Sequence, residues 1–444
     1  MLESRPLTWR GFSPWQKGLL GLLIAYSVSH LAYSILIYNP ITSPSISSDF
    51  YVSYLEAAHW KQTGRLELLG CTNIPYPAFF YWWLFPLTGL PYPWLSAGLY
   101  LAQFPLFAWA LALLVRAAAP DSAIRPMEYL AAVLMAVNFQ PLLETLSQHK
   151  AEGLEFFLVC VVILAFKEGK DAKSGAMIFL AASLKYLPGL LAPYFLLKRE
   201  RRVVRGFLLT SAFCTAAFIP FFGIDAFWNL IVRQTFWVSL SRKVESNQPI
   251  ASFESQSLSE IVNRFFVSPD PAHPLKEILH SSQVAAVTSP NAALWVGLAL
   301  KILILGGFLA FLRSTSSLPR RGEGWPLTLL EISLALVMIP ILVQSFRSHY
   351  AILLLPAFVT TGLIILRHWE LVKRSEKILF SAALSLSGML IPGGLLNRLP
   401  PHPFWGGNYS RLYQWWSFQF YGFLLLGVTI LLCHTRLRSA FLRK

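Results

Sequence analysis

Ten long apolar segments dominate the sequence and constrain its fold more than any motif does. A helix needs about 20 apolar residues to cross the hydrocarbon core of a bilayer. The segments are 18–38, 93–116, 127–147, 151–167, 203–223, 291–313, 325–345, 349–367, 376–393 and 415–434. Only 13% of the 444 residues are charged, about half the share found in soluble domains. The sequence therefore predicts an all-α polytopic membrane protein and excludes disordered chains, disulfide-rich secreted domains and cytosolic enzymes.

Residues 174–197 form a further apolar segment that does not fit a simple span. Basic residues lie at both of its ends, so both ends are expected on the cytoplasmic side. The pair Pro188-Gly189 interrupts the segment, and a proline inside a helix removes a backbone hydrogen bond and clashes with the preceding turn. We therefore predict two short helices that enter and leave from the same side, with Lys185 near their tip.

The first outside loop, 39–92, contains another apolar segment that is too irregular for a span. Residues 75–91 are aromatic and bracketed by prolines, which is typical of a helix lying at the membrane interface. With the broken pair, the count is about 10 full spans and about 12 membrane helices. Residues 1–444 are expected to form a single membrane-embedded domain, in which 224–290 is the large outside loop.

The net charge of +15 indicates an orientation in the membrane and not a nucleic-acid partner. Most of the 37 Lys and Arg residues lie near alternate loops, and basic loops of this kind stay in the cytoplasm. We therefore expect an integral multi-pass protein of the plasma (inner) membrane with both termini cytoplasmic. The four cysteines are isolated, so no structural disulfide and no cysteine-based metal site are expected.

Asp49 is conspicuous because it follows the first span and directly precedes a helical pattern. After Ser48, it lies where the N-cap of a helix would lie. A carboxylate held just above the bilayer is also suited to act as a general base. These two roles are compatible, and the sequence leaves both open.

Three cations are candidates for binding a phosphate. Lys185 lies about halfway into the membrane, where a cation needs a counter-charge or water, so a phosphate and a buried Glu are its two candidate partners. Arg347 and His349 lie at an outside helix junction. Arg suits bidentate phosphate contacts and His can donate to an anionic oxygen, although both also serve as interfacial anchors. Lys301 and Glu331, on consecutive spans, are expected to form a structural pair.

Other candidate polar residues flank the turn after the third span or lie in the large outside loop. Those at the turn are Glu144, Gln148, His149, Lys150, Glu152 and Glu155. They fit either a salt-bridged hairpin tip or a functional cluster. In the loop, Gln256 and Arg264 accompany several aromatic residues, a mixture that suits sugar faces and equally suits an interfacial aromatic belt. The chain has no phosphate-binding loop, dinucleotide fingerprint or zinc-protease motif.

Several short patterns occur in order along residues 15–360. The first is Asp-x-x-x-x-Tyr-x-x-Ala-Ala with a later Gly, and it consists of Asp49, Tyr54, Ala57, Ala58 and Gly64. A segment that begins with Tyr-Pro and ends with Pro-Leu follows at 76–87. The later patterns are Gln148 in a turn, Lys185 with Pro188, the stretch 255–258 with Arg264, and His349-Tyr350 before Pro356.

In their order and in the topology around them, these patterns resemble glycosyltransferase family 87. That family comprises polyprenyl-phosphate-mannose-dependent mannosyltransferases with the type-C membrane glycosyltransferase fold. Its Gly-Gln-x-Asn turn is matched here by Gln148 alone, because Ser147 and Lys150 replace the Gly and the Asn. Its Lys-Pro hairpin resembles Lys185 and Pro188, with two residues between them.

The resemblance implies transfer of a hexose, mannose in this family, from a polyprenyl-phosphate sugar to a lipid- or glycan-linked acceptor on the outer face. Asp49 would be the general base, and Lys185, Arg347 and His349 would bind the donor phosphate. The residues expected at the acceptor or the sugar are Tyr54, Gln148, His149, Glu155, Gln256 and Arg264. The reaction would invert the anomeric carbon, without a metal or a cofactor. The implied partners are membrane lipid, the donor and the acceptor, and no nucleic acid.

A transporter or lipid flippase without covalent chemistry is the alternative function, and a scaffold or receptor is a third. A transporter predicts intramembrane charges along a continuous path and an internal repeat. The sequence contains few such charges and no repeat that we can see. Convergence of Asp49, Lys185 and His349 around one cavity would distinguish an enzyme from a scaffold.

Overall fold

A computed structural model of the protein describes most of the chain. The described residues are 13–37, 49–63, 78–121, 123–147, 152–227, 257–259, 261–262, 290–316, 318–343, 348–368, 370, 373–390 and 418–442. All regular structure within these ranges is helical. The all-α prediction is therefore confirmed for the described residues.

Fifteen α-helices lie within the described ranges. They are α1 (Pro14–Ile37), α2 (Asp49–Thr63), α3 (Ala78–Leu84), α4 (Tyr92–Ala118), α5 (Pro126–Val137), α6 (Gln140–Ser147), α7 (Glu152–Lys167), α8 (Asp171–Leu184), α9 (Leu191–Leu197), α10 (Arg201–Phe227), α11 (Pro290–Ser314), α12 (Trp325–Leu342), α13 (Leu355–Arg367), α14 (Arg374–Leu390) and α15 (Phe418–Leu442). Four 3₁₀ segments accompany them, at Phe85–Gly89, Leu187–Leu190, Gly322–Gly324 and Ser348–Leu354.

Six stretches of described helix are long and apolar enough to cross a membrane. They are Tyr92–Ala118, Arg201–Phe221, Ala292–Ser314, Gly322–Leu342, Tyr350–Arg367 and Gln419–Ala440. The fourth and fifth are almost entirely buried inside the protein, whereas only 6% of the third is buried. Helix α11 therefore presents an apolar surface outward, as a lipid-facing helix does. The total of about 12 membrane helices stays a prediction.

The predicted span at 127–147 consists of two shorter helices, α5 and α6, in the structure. Helix α5 ends at Val137, and the amide of Asn138 donates from Nδ2 to the carbonyl oxygen of Leu134 at 2.8 Å. The same nitrogen donates to Oγ of Ser27 on α1 at 2.7 Å. Because Asn competes with the backbone for hydrogen bonds and Pro141 fits the first turn of a helix, the chain restarts here.

The broken pair at 174–197 is confirmed as two helices, α8 and α9, joined by the 3₁₀ segment Leu187–Leu190. Helix α8 packs closely against α10. A Cβ added to Gly175 would lie 1.9 Å from the carbonyl oxygen of Val203, and one added to Gly206 would lie 2.2 Å from that of Ala172. The two glycines thus allow backbone contact between the helices, which fixes the start of α8 against the start of α10.

Candidate active site

The site is built around an ion pair between the end of one helix and the start of another. Lys185, the first residue after α8, is only 5% exposed. Its Nζ lies 2.5 Å from Oε1 of Glu152, the first residue of α7. A buried ammonium group is stable only with such a counter-charge. Of the two partners that the sequence left open for Lys185, the structure contains the buried Glu.

A second carboxylate lies beside this ion pair. Glu155 is one turn beyond Glu152 on α7 and is 1% exposed. It is within electrostatic reach of both Lys185 and Glu152. Its Oε1 has no hydrogen-bond partner among the described residues. Because an unsatisfied buried acceptor is unfavourable by about 1–3 kcal/mol, this oxygen is a ready partner for a ligand hydroxyl.

The aromatic ring of Tyr350, in the 3₁₀ segment before α13, lies over the ammonium group of Lys185. The Nζ atom lies 3.9 Å from the ring centroid of Tyr350, a distance at which the cation is attracted to the ring face. Tyr350 belongs to the 3₁₀ segment Ser348–Leu354 and directly follows His349. The structure therefore brings the backbone of His349 next to the Lys185 site. The side chain of His349 and all of Arg347 lie outside the described residues.

Asp49 is the first residue of α2, so the helix begins one residue earlier than an N-cap at Asp49 would place it. Its side chain is outside the described part of the structure. Tyr54, on the same helix, donates its hydroxyl to the carbonyl oxygen of Leu90 at 2.8 Å, and its ring centroid lies 5.4 Å from that of Tyr92. Tyr54 thus anchors α2 to the start of α4.

An apolar cluster, here called the aromatic cluster, connects the start of α2 with the end of α8. Its buried members are Phe50, Ala57, Trp60, Phe79, Phe80, Tyr81, Leu84, Tyr92, Leu95, Phe179, Leu184, Cys214 and Phe218. Phe50 follows Asp49 in the chain, and Leu184 precedes Lys185. The neighbours of both predicted functional residues therefore belong to one packed unit.

Four other predicted site residues lie outside the described residues, namely Gln148, His149, Gln256 and Arg264. Their positions stay predictions. The residues that follow Gln256 are informative, because Ser257 and Leu258 are buried and Leu258 belongs to the main hydrophobic core. The end of the motif at 255–258 is therefore held against the core of the helical bundle.

The expected pair between Lys301 and Glu331 is wrong. Glu331 instead binds Lys198, whose Nζ lies 2.8 Å from its Oε2, and Tyr194 donates to the same oxygen at 3.3 Å. Lys301 donates to the carbonyl oxygen of Leu342 at 3.1 Å. Leu342 lies 11 residues beyond Glu331 on α12, a distance of about 16 Å along a helix. The positions of Lys301 and Glu331 within their apolar segments do not reveal that the two side chains lie this far apart.

A further buried carboxylate, Glu56 on α2, was not among the residues predicted from the sequence. The hydroxyl of Tyr81 on α3 donates to its Oε2 at 2.6 Å. Burial raises the pKa of the Glu56 carboxyl above its ordinary value, and the hydrogen bond from Tyr81 opposes that shift. The available signal was the spacing, since Asp49, Ser53 and Glu56 follow one another at i, i+4 and i+7 along one helix face.

The model for Glycosyltransferase family 87 matches residues 74–340, which is more than half of the chain. The chain belongs to glycosyltransferase family 87. Its family membership supports a glycosyltransferase activity, and its apolar helices agree with the membrane location expected for a member of this family.

The family match covers part of the candidate site. Glu152, Glu155 and Lys185 lie inside the matched residues, whereas Asp49 precedes them and His349 follows them. No protein of curated function and no solved structure matches the chain. The described residues of this family 87 member contain no group of three His, Cys, Asp or Glu side chains placed to hold a metal ion.

Proposed function

We propose that this protein transfers a hexose, with mannose as the first candidate, from a polyprenyl-phosphate sugar to a lipid- or glycan-linked acceptor. The reaction takes place on the outer face of the plasma (inner) membrane. Asp49 is the general base, and Lys185, Arg347 and His349 bind the donor phosphate. The residues that contact the sugar or the acceptor are Tyr54, Gln148, His149, Glu155, Gln256 and Arg264.

One observation carries this proposal beyond family membership. A buried lysine at the break of a helix pair faces two carboxylates and the ring of Tyr350, next to His349. Ionisable groups at such depth in a membrane protein generally have a functional role. A lipid-linked phosphate that enters between helices meets its counter-charge at this depth, where the low dielectric strengthens the attraction.

The proposed chemistry is a single displacement at the anomeric carbon. The acceptor oxygen forms a bond to that carbon while Asp49 takes up its proton. The bond from the anomeric carbon to the phosphate oxygen breaks, and its electron pair leaves with polyprenyl phosphate. Lys185, Arg347 and His349 stabilise the developing charge on that oxygen. One displacement inverts the configuration, so a single base suffices.

The ion pair with Glu152 has a consequence for donor binding. Lys185 has to share its charge between Glu152 and the incoming phosphate, because two carboxylates already surround one ammonium group. Arg347 and His349 supply the further positive charge in this proposal. The unpartnered oxygen of Glu155 is available to accept a hydrogen bond from a sugar hydroxyl.

The substitution Asp49→Asn separates the catalytic role from the structural one. Asn is about as good an N-cap as Asp, so the start of α2 is retained while the base is lost. We expect transfer from a polyprenyl-phosphate mannose to fall at least about 100-fold, in line with the loss of a general base. The matched control is Asp121→Asn, an exposed acid between α4 and α5 whose Oδ1 accepts a hydrogen bond from the backbone of Ala123.

The product assay also tests the alternative function. Radiolabelled donor in proteoliposomes gives a covalent glycosylated product if the protein is a transferase. Movement of intact donor across the bilayer without a new glycosidic bond would favour the flippase. Normal turnover in a folded Asp49→Asn protein would rule out Asp49 as the base.

A further inference from the structure

The seven-residue helix α3 (Ala78–Leu84) lies between the two helices that carry the proposed functional residues. Its residues fall on two opposite faces by helical geometry. Phe79 and Trp83, four residues apart, share one face, and Phe80, Tyr81 and Leu84 share the other. Each face packs against a different neighbour.

The face that carries Phe80, Tyr81 and Leu84 contacts α2, which begins at Asp49. The Tyr81 hydroxyl donates to Oε2 of Glu56 at 2.6 Å, and both side chains are buried. The ring of Phe80 lies 6.4 Å from that of Phe50 in an edge-to-face arrangement. Phe50 is the residue directly after Asp49, so these contacts fix both the start and the middle of α2.

The opposite face contacts α8, which ends directly before Lys185. Nε1 of Trp83 donates to Oγ of Ser183 at 3.1 Å. The ring of Phe79 lies 5.4 Å from that of Phe179. Phe179 and Ser183 are also four residues apart, so an i,i+4 pair on α3 packs on an i,i+4 pair on α8. Ser183 lies two residues before Lys185.

We propose that Tyr81 and Trp83 are positioning residues, and that α3 is the spacer that sets the separation between Asp49 and Lys185. This inference rests on the proposed function, in which both residues act on one sugar. The base has to reach the acceptor hydroxyl on one side of the anomeric carbon while the cation reaches the phosphate on the other. A displacement of about 1 Å in such a geometry lowers the rate about 100-fold.

The hydrogen bonds of Tyr81 and Trp83 add directional restraint to the apolar contacts of the cluster. Apolar packing is non-directional, so rings alone permit small rotations of α3. The bonds from Tyr81 and Trp83 run in opposite directions from one short helix and fix its rotation against both neighbours. Tyr81→Phe removes one bond and keeps the phenyl ring, and Trp83→Phe removes the other and leaves a smaller aromatic ring. Both substitutions therefore loosen the spacing while an aromatic side chain stays at each position.

The test compares Tyr81→Phe and Trp83→Phe with wild-type protein in the transfer assay. The matched control is Tyr194→Phe, which also removes a buried Tyr hydroxyl bound to a Glu, at 3.3 Å from Glu331. We expect kcat to fall by about 10- to 100-fold in the two α3 variants, with the KM for the donor changed by less than about threefold. The control keeps the wild-type kcat.

A distance measurement provides a readout that does not depend on activity. Spin labels at Leu55→Cys on α2 and Leu190→Cys next to α9, both at partly exposed positions, report the spacing across α3 in a Cys71→Ser background. We expect the distance distribution to broaden or shift in Tyr81→Phe and Trp83→Phe but not in Tyr194→Phe. If Tyr81→Phe fails to fold, Trp83→Phe carries the test, because the Trp83 side chain is half exposed.

The outcomes separate this inference from the function on which it rests. Wild-type protein that transfers no sugar refutes the proposed function, while the distance measurement still reports on the spacer. Folded α3 variants with wild-type kcat overturn the spacer. A fall in kcat with an unchanged distance distribution overturns it too, since the hydrogen bonds would then act by another route.

Discussion

Replacing Lys185 by Met removes the cation from a site that holds two buried carboxylates. In the wild-type protein, Nζ of Lys185 lies 2.5 Å from Oε1 of Glu152, and Glu155 is one turn away on the same helix. Met has nearly the volume of Lys, so the substitution leaves no large cavity. The change is therefore almost purely electrostatic, and its sign is destabilising.

The magnitude follows from the burial of both partners. Removing one member of a buried ion pair typically lowers the free energy of unfolding by about 3–5 kcal/mol, because the other charge is left uncompensated. Replacing a complete buried pair by neutral groups is often nearly neutral. We therefore expect Lys185→Met to lose about 3–5 kcal/mol and the double variant Lys185→Met/Glu152→Gln to recover most of that loss.

The assay measures the free energy of unfolding of the wild-type protein, both single variants and the double variant, and then donor binding. Denaturant unfolding in detergent gives the free energies for Lys185→Met, Glu152→Gln and the double variant, and a double-mutant cycle isolates the coupling. The donor KM is then measured on the double variant. We expect its stability to return while its donor KM stays raised at least about tenfold, the effect of losing about 1.4 kcal/mol of phosphate binding.

Two results would refute this reasoning. Additive stability effects in the cycle would mean that Lys185 and Glu152 are not coupled in the folded protein. A double variant with both stability and donor KM restored would mean that Lys185 has only a structural role, as the counter-charge of Glu152.

The remaining predictions concern pH dependence and helix packing. Burial, and then the charge of Arg367, lower the pKa of His368 from 6.5 to about 4. Between these two pH values the unfolded chain binds more protons at His368 than the folded protein does. The free energy of unfolding should therefore fall as the pH drops from 6.5 to about 4. His368→Gln should flatten this decline in melting temperature, and an unchanged decline would contradict the assignment. Gly175→Ala should separate α8 from α10, since an added Cβ would lie 1.9 Å from a carbonyl oxygen, and should destabilise by about 1–3 kcal/mol or more. The control Gly98→Ala, with nothing within 4 Å of its added Cβ, should be neutral or stabilising by about 0.5–1 kcal/mol, and equal melting temperatures of the two variants would contradict the packing argument.

Local signals in the sequence predicted much of the fold. The prolines and flanking charges of 174–197 predicted a broken helix pair, and α8 and α9 confirm it. The position of Asp49 predicted a helix start, and α2 begins there. The break at Asn138 was missed although the signal was present, because an apolar run of span length outweighed an Asn followed by a Pro three residues later. Signals that act within one helical turn, such as helix starts and breaks, can therefore be recognised in the sequence.

The sequence by itself determined that this is a helical membrane protein of family 87, because the length and polarity of a segment fix whether it can cross a bilayer. Only the tertiary structure decided which buried charges meet. Lys185 binds Glu152, 33 positions earlier, and Glu331 binds Lys198 instead of Lys301. One residue rotates a side chain by about 100° around a helix, so such partners depend on how each helix is rotated and how deep it lies, and both are set by packing against distant parts of the chain.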